Sequence, residues 1–418
     1  MDTLQQALNE AAAQTPAFFL EKVISKKLQE QGVTPTKGLS LRIAQHLLSG
    51  STEPFVSKKA AKNRSVSLTL TDADLEEVNR AVDRFSENQL PALLPVMAGK
   101  ISRKTLKDLK ARWSDEGAEQ DIDLSEFRTR MESRWGKPLG QLRMLLTMVR
   151  EWCESAHHRE SSRKKHKKKQ LRQILIRLLV RGCQVTDEII CLLGNGFADG
   201  AMARWRTLHE IAVVAAVISQ HGEAIAERYV AHHAVESKRA LGKYLVCAKQ
   251  LGYRPLSARA QAKILKASDN AIATYGKPFK STYGWAALHL KNDQPTFAHL
   301  EAAAGRTEMR SHYQMGNDNI HAGIRSMYVR LGLLDYGGLL AGRSNAGLAE
   351  PGQNAAHTLT QLAAIVCISE PSLDDYVIAD MLKMLRDEIP RSFARAEAQL
   401  RRDDKAHRSA QNTAGIES

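Results

Sequence analysis

From residue 139 to residue 254 the chain contains no proline, so 116 consecutive residues lack the strongest helix breaker. Within that span Leu171, Leu175, Leu178, Leu179, Cys183 and Val185 recur at helical steps, as an apolar helix face requires. Gly194, Gly196 and Gly200 then loosen the chain near a turn, and an Ala/Val-rich helix follows over about residues 199–219. Period-two alternation is scarce; residues 66–70 (VSLTL) form the one fair strand pattern. The chain therefore reads as all-α, a multi-helix bundle main domain with a helical N-terminal region.

At 418 residues the chain is long for one helical domain, since about 150 residues per domain is usual. Residues 1–157 read as the helical N-terminal region, with turns at Pro35, Pro54, Pro91 to Pro95 and Pro138. Asp72, Leu75 and Glu76 mark a helix start, with acids in the first turn. Residues 158–172 form a basic connector and residues 173–402 the main helical domain. That domain is interrupted at 275–296 and by a Gly-rich segment, 336–352, read as a flexible connection. Residues 403–418 are a polar tail.

Net charge is +14, and half of it sits in residues 159–172, with eight Lys/Arg against Glu160 alone. The remainder reads as thinly spread. A charge so localised, with Lys164, Lys165, Lys167, Lys168 and Lys169 at its centre, attracts phosphate backbones through counterion release. Anionic membrane lipid is the other polyanion it could meet, and a merely solvated linker is the bland alternative. Few aromatics are interleaved, so the run would grip backbone rather than stack on bases. The five cysteines are scattered and never in a CxxC pair, which fits a reducing compartment and argues against a thiolate zinc site. No secretory h-region opens the chain, and the longest apolar stretch, 211–218, is too short for a bilayer, which takes about 20 residues. The expectation is a soluble, cytoplasmic protein. Phosphate-loop, GxGxxG and GxSxG patterns are lacking, and no cofactor is implied.

Two constellations carry chemistry-bearing side chains. On the 199–219 helix, Arg206 and Glu210 are four residues apart and share a face. They are either an intrahelical ion pair beside the core or an Arg pre-positioned by Glu for a phosphate. Farther on, Arg306, Arg310, His312, Tyr313, Asn317 and His321 crowd sixteen positions. Histidine exchanges protons near neutrality, and an adjacent Arg stabilises charge developing on phosphorus. The alternative is a helix–loop–helix junction with Asn and Asp as caps. His232-His233 and His157-His158 read as surface histidines, because neighbouring positions point to different sides of a helix.

The stretch from about residue 170 to residue 330 resembles a family of uncharacterised bacterial proteins, a domain of unknown function. In that family a Gly-aromatic stretch leads into an Arg-x-x-x-Glu helix, and a Tyr-containing segment ending in His follows. The matching residues here are Gly196-Phe197, Gly200-Ala201, Arg206 with Glu210, Arg228-Tyr229, and Tyr313 with His321. The arrangement is also similar to the HEPN group of helical domains, whose mark is Arg, four to six residues, then His. Arg306 to His312 satisfies that spacing, whereas His321 is preceded by Asn317. The resemblance implies a metal-independent RNA-cleaving effector of a bacterial defence or toxin system, acting as a homodimer. It makes His321 or His312 the acid/base, with Asn317 beside it. Arg310, Arg306 or Arg206 would hold phosphate with Glu210 and Tyr313, and the basic connector would dock RNA. A non-catalytic helical nucleic-acid-binding or regulatory module is the competing expectation.

Overall fold

A computed structural model of the chain describes residues 2–57, 65–161, 169–321, 323–334, 338–367 and 371–414. Among them the fold is all-α, with no strand, and no helix is long and apolar enough to cross a membrane. The chain divides into two compact units, Met1–Gln120 and Asp121–Ser418. The 72-residue helix α5 (Leu90–Ser161) contributes to both.

The first unit holds α1 (Asp2–Ala13), α2 (Thr15–Glu30), α3 (Leu39–Leu48) and α4 (Asp72–Arg84). Leu20, Ile24 and Leu28 recur every four residues along α2 and meet Ala44 of α3 and Val78 of α4 in a small core. The expected start of α4 is present: the Thr71 side chain accepts from the Asp74 N–H, and the Asp74 carboxylate accepts from the Thr71 N–H in return. Lys27 of α2 lies 2.7 Å from Asp74, and that contact foremost holds its carboxyl down at about 2.

Two expectations fail in this region. Residues 66–70 alternate between half-buried and exposed as a strand would, with Val66, Leu68 and Leu70 against the small core. Among the described residues no second strand lies alongside them, so no ladder forms there. The turns expected at Pro91, Pro95 and Pro138 are also absent, because α5 runs through all three. A π-turn, Phe85–Gln89, precedes α5, and the Leu90 N–H reaches back five residues to Phe85. That widening eases the proline ring past the preceding turn. At Pro138 a cost of about 3 kcal/mol is outweighed by burial of Trp135, Leu139, Leu142, Leu145 and Leu146, at roughly 1.5–3 kcal/mol per side chain.

The second unit is built around α6 (Lys169–Gly194), α7 (Ala198–His221) and α14 (Ala349–Cys367), which pack on one another. Its α7 fulfils the helix expected near 199–219. The α6 start is capped by Glu223, whose carboxylate accepts from the Gln170 and Leu171 N–H groups. Trp205 is wholly buried on α7 and donates to Thr358 Oγ1 and Asn354 O on α14. Helix α15 (Leu373–Ala414) lies on α14, and its Asp375 accepts from Trp152 Nε1 and Arg159 of α5.

The interruption expected at 275–296 is real but ordered. Between α8 (Glu223–Cys247), α9 (Ala258–Tyr275) and the short α10 (Ala287–Leu290), Arg228 donates to Trp285 O and stacks over Tyr275 and Phe279. His232 donates its Nε2 hydrogen to Phe279 O and Ser281 O. The surface role expected for His232 is thus overturned: it is 1% exposed and pins this segment, whereas His233 is exposed. The Gly-rich segment is likewise not a free connection over 344–348. Ser344 N–H bonds Gly196 O, Trp135 donates to Asn345 O, and Leu348 is fully buried. Positions 336 and 337 lie outside the described residues.

Gly352 lets α14 and α15 meet, since a Cβ there would stand 2.3 Å from Cζ of the buried Phe393 ring. Gly352→Ala is expected to cost about 1–3 kcal/mol, as overpacking does, read as a lower denaturant midpoint at unchanged slope.

Candidate functional site

Arg206 and Glu210 lie one turn apart on α7, and α12 (Arg310–Asp318) closes a ring over them. Arg206 Nη2 is 2.9 Å from Glu210 Oε1 and donates at 2.7 Å to the Tyr313 hydroxyl. That hydroxyl donates in turn to the same Glu210 oxygen, also at 2.7 Å. The approach depends on Gly316, where a Cβ would come 3.3 Å from Arg206 Cβ. The Arg206 guanidinium carbon lies 4.8 Å from the Tyr313 ring centroid, within cation–π range. Burial first, and then the Glu210 carboxylate, push the Tyr313 phenol well above its ordinary value. It is a donor here, not a phenolate. Arg206 Nε is buried without a partner, so the guanidinium keeps unused donor capacity.

A second network lies against the first. Glu301 of α11 (Phe297–Ala303) has no exposure, yet it bears a carboxylate. One oxygen receives the Nε2 hydrogen of buried His209 at 3.0 Å, and the other receives Arg310 Nη1. Phe297 stacks on Tyr313 at 4.8 Å, and His209 lies 5.8 Å from Tyr313, so the two networks share an aromatic wall. Burial holds the His209 imidazole below its usual value, opposed by Glu301. Neither His209 nor Glu301 stood out in the sequence. The one signal was an acid set among the alanines and leucine of a short apolar helix, LEAAA.

The remaining predicted residues go elsewhere. His312 leaves α12 on another side, with Nδ1 2.6 Å from Glu350 Oε1 at the start of α14. Burial lowers the Arg306 pKa, and its Nε is unpaired. Asn317 Oδ1 is buried and unpaired. His321 stands exposed just beyond α12, its N–H bonded to Asn317 O. It lines a cavity of about 730 Å³ with Asp318, Ser326 and Arg330. A neighbouring cavity of about 530 Å³ shares Asp199, Asp318, Asn319 and Arg330 and adds Arg325 and Glu350. The two together form a cleft flanked by α13 (Ile324–Tyr328) and the start of α14. Arg330 lies 3.5 Å from Asp199 and also donates to Leu340 O; Arg325 pairs with Asp318 at the surface. Arg206, Glu210, Tyr313 and Arg310 therefore gather at one place, while His321 faces a separate cleft and His312 a third set of contacts.

Cys153 and Cys183 are buried thiols rather than ready nucleophiles. Burial pushes the Cys153 thiol up to about 11 and the Cys183 thiol up to about 12. Of the basic connector, Lys164, Lys165, Lys167 and Lys168 lie outside the described residues, and Lys169 is exposed at the start of α6.

The fold and these networks define an all-α domain with buried polar clusters beside an open cleft. Residues 172–338 match the model of a family of unknown function, DUF5677. That span contains α7, α11, α12 and His321 but ends before Glu350 and α15. No curated protein and no solved structure matches the chain.

Burial also depresses His232, His289 and His357, in each case as the largest cause. With His209, four imidazoles bind a proton less readily in the fold than once unfolded. Their effect is absent above the unfolded pKa of about 6.5, and stability is lost as pH falls below it. The thermal midpoint is expected to drop between about pH 7 and pH 5, before carboxylates titrate. A flat or rising midpoint over that window would contradict the assignment.

Proposed function

We propose that the chain is a metal-independent RNA-cleaving effector of a bacterial defence or toxin system, acting at the cleft lined by His321. The observation that carries the reading is this exposed imidazole sharing a cleft with Arg330, next to Arg325. His321 accepts the proton of an RNA 2′-hydroxyl as the O2′–P bond forms. Arg330 and Arg325 offset charge on the non-bridging oxygens, the P–O5′ bond breaks, and the leaving oxygen takes a proton from water. The products are a 2′,3′-cyclic phosphate and a 5′-hydroxyl. Arg325 is free to turn to phosphate because a surface ion pair such as Arg325–Asp318 is worth about 0–1 kcal/mol. The basic connector would hold the RNA backbone. A homo-oligomer belongs to the same reading, and Leu373, Tyr376, Val377 and Met384 on one side of α15 leave apolar surface for it.

The second reading, a non-catalytic nucleic-acid-binding or regulatory module, is favoured by the closure of the other networks. Arg310 is committed to Glu301, and Arg206 to Glu210 and Tyr313. Removing Arg310 leaves the wholly buried Glu301 carboxylate without its charge partner, a loss of about 3–5 kcal/mol, so this group serves the fold whatever the cleft does.

The test is full-length protein incubated with single-stranded RNA in EDTA. Wild type is expected to yield cyclic-phosphate ends, and His321→Ala to cleave about 10²–10⁴-fold more slowly with an unchanged melting temperature. Intact RNA, or equal cleavage by both proteins, overturns the enzymatic reading and leaves the binding module. Arg310→Ala is instead expected to lower the melting temperature, as loss of the Glu301 partner demands.

A further inference from the structure

The charge outside the connector is not thinly spread. Along α5, Lys100, Arg103, Lys104, Lys107 and Lys110 follow at three- and four-residue steps, and all five are exposed. At 100° per residue they fall within one arc of about 120°, over about 15 Å of helix. Among the described residues none of the five has an ion-pair partner within 4 Å. Arg112, off this arc, is the basic neighbour that has one, in Glu116. The nearby acids Asp108 and Asp115 also lie off the arc. Five unpaired cations in a row repel one another, and that repulsion is relieved when an anionic lattice of similar spacing lies along them.

We propose that this stripe docks a nucleic-acid backbone. About 15 Å of duplex carries roughly nine phosphate charges, ample for five cations. Exposed apolar side chains surround the same stretch: Leu93 and Val96 fall on the cation arc, Met97 and Leu106 flank it, and Leu94, Ile101, Leu109 and Trp113 lie beyond. A basic face beside apolar residues also suits an anionic lipid surface, which is the competing occupant and an arm of the test. Nucleic acid is favoured by the match of five cations over about 15 Å to a phosphate backbone. The contact reads phosphate and not sequence, since the stripe itself carries no aromatic for stacking. The partner's identity as RNA rests on the reading of the cleft, but the docking surface does not require cleavage.

The experiment measures full-length protein binding to a labelled single-stranded RNA by anisotropy over a salt series. It uses His321→Ala throughout, so the probe stays intact. The double variant Lys104→Glu/Lys107→Glu is expected to bind at least tenfold more weakly at low salt. Its log K against log salt slope should be shallower by about 1.4, two contacts at 0.7 each. Lys104→Arg/Lys107→Arg should retain wild-type binding. Both pairs are solvent-exposed, and an unchanged melting temperature confirms that each folds. Undiminished binding by the Glu variant overturns the proposal. So does co-sedimentation with phosphatidylserine vesicles that the Glu variant loses while RNA binding persists. Failure of cleavage with binding intact touches only the ribonuclease reading.

Discussion

A carboxylate without access to water must be answered inside the protein, and Glu301 is such a group. His209 answers one oxygen and Arg310 the other, so α7, α11 and the start of α12 are fixed to one another by a single acid. With α12 held at that end, Gly316 admits it against α7, and Tyr313 comes within reach of Arg206 and Glu210. The end of α12 then places His321 beside the cleft. The polar residues of this unit thus form a hierarchy. The most buried pair sets the position of the half-buried ring, and the ring orients the exposed groups.

This hierarchy separates residues by what they are free to do. Arg310 has its charge committed to an acid it cannot leave cheaply, and Tyr313 has its hydroxyl used in both directions. Arg325 and His321, by contrast, are exposed and held by weak surface contacts or none that fix the side chain. Chemistry on a substrate needs groups of the second kind, and positioning needs groups of the first. The match to a family of unknown function covers both kinds and excludes α15. The matched span therefore holds the polar cluster and His321, while Glu350 of α14 and Glu397 and Arg401 of α15, which also line the cleft, lie beyond it.

Charge is organised along the chain in a comparable way. One block lies in the connector, and a second is gathered by α5 from residues that look dispersed when read in line. A helix converts spacing of three and four into adjacency. The stripe is one surface because α5 runs without a break from residue 100 to residue 110.

The all-α class, the α4 start and the α7 span were legible because each depends on local terms: absent prolines, a capping box, helical periodicity. Arg206 with Glu210 was legible for the same reason, being one turn apart. Tyr313 was named with them through a family resemblance, but its bond to both was settled by α12 packing across about a hundred residues of chain. His209, Glu301 and the role of His232 were hidden, because whether a polar side chain is buried depends on what other helices bring to it. The strand pattern at 66–70 misled for the mirror-image reason: alternation is local, but a ladder needs a partner. Sequence alone therefore determined where helices run and which faces are apolar. Tertiary structure decided which charges are locked together and which stay free, since pairing energy inside a fold depends on distance and exclusion of water, and neither is written in residue order.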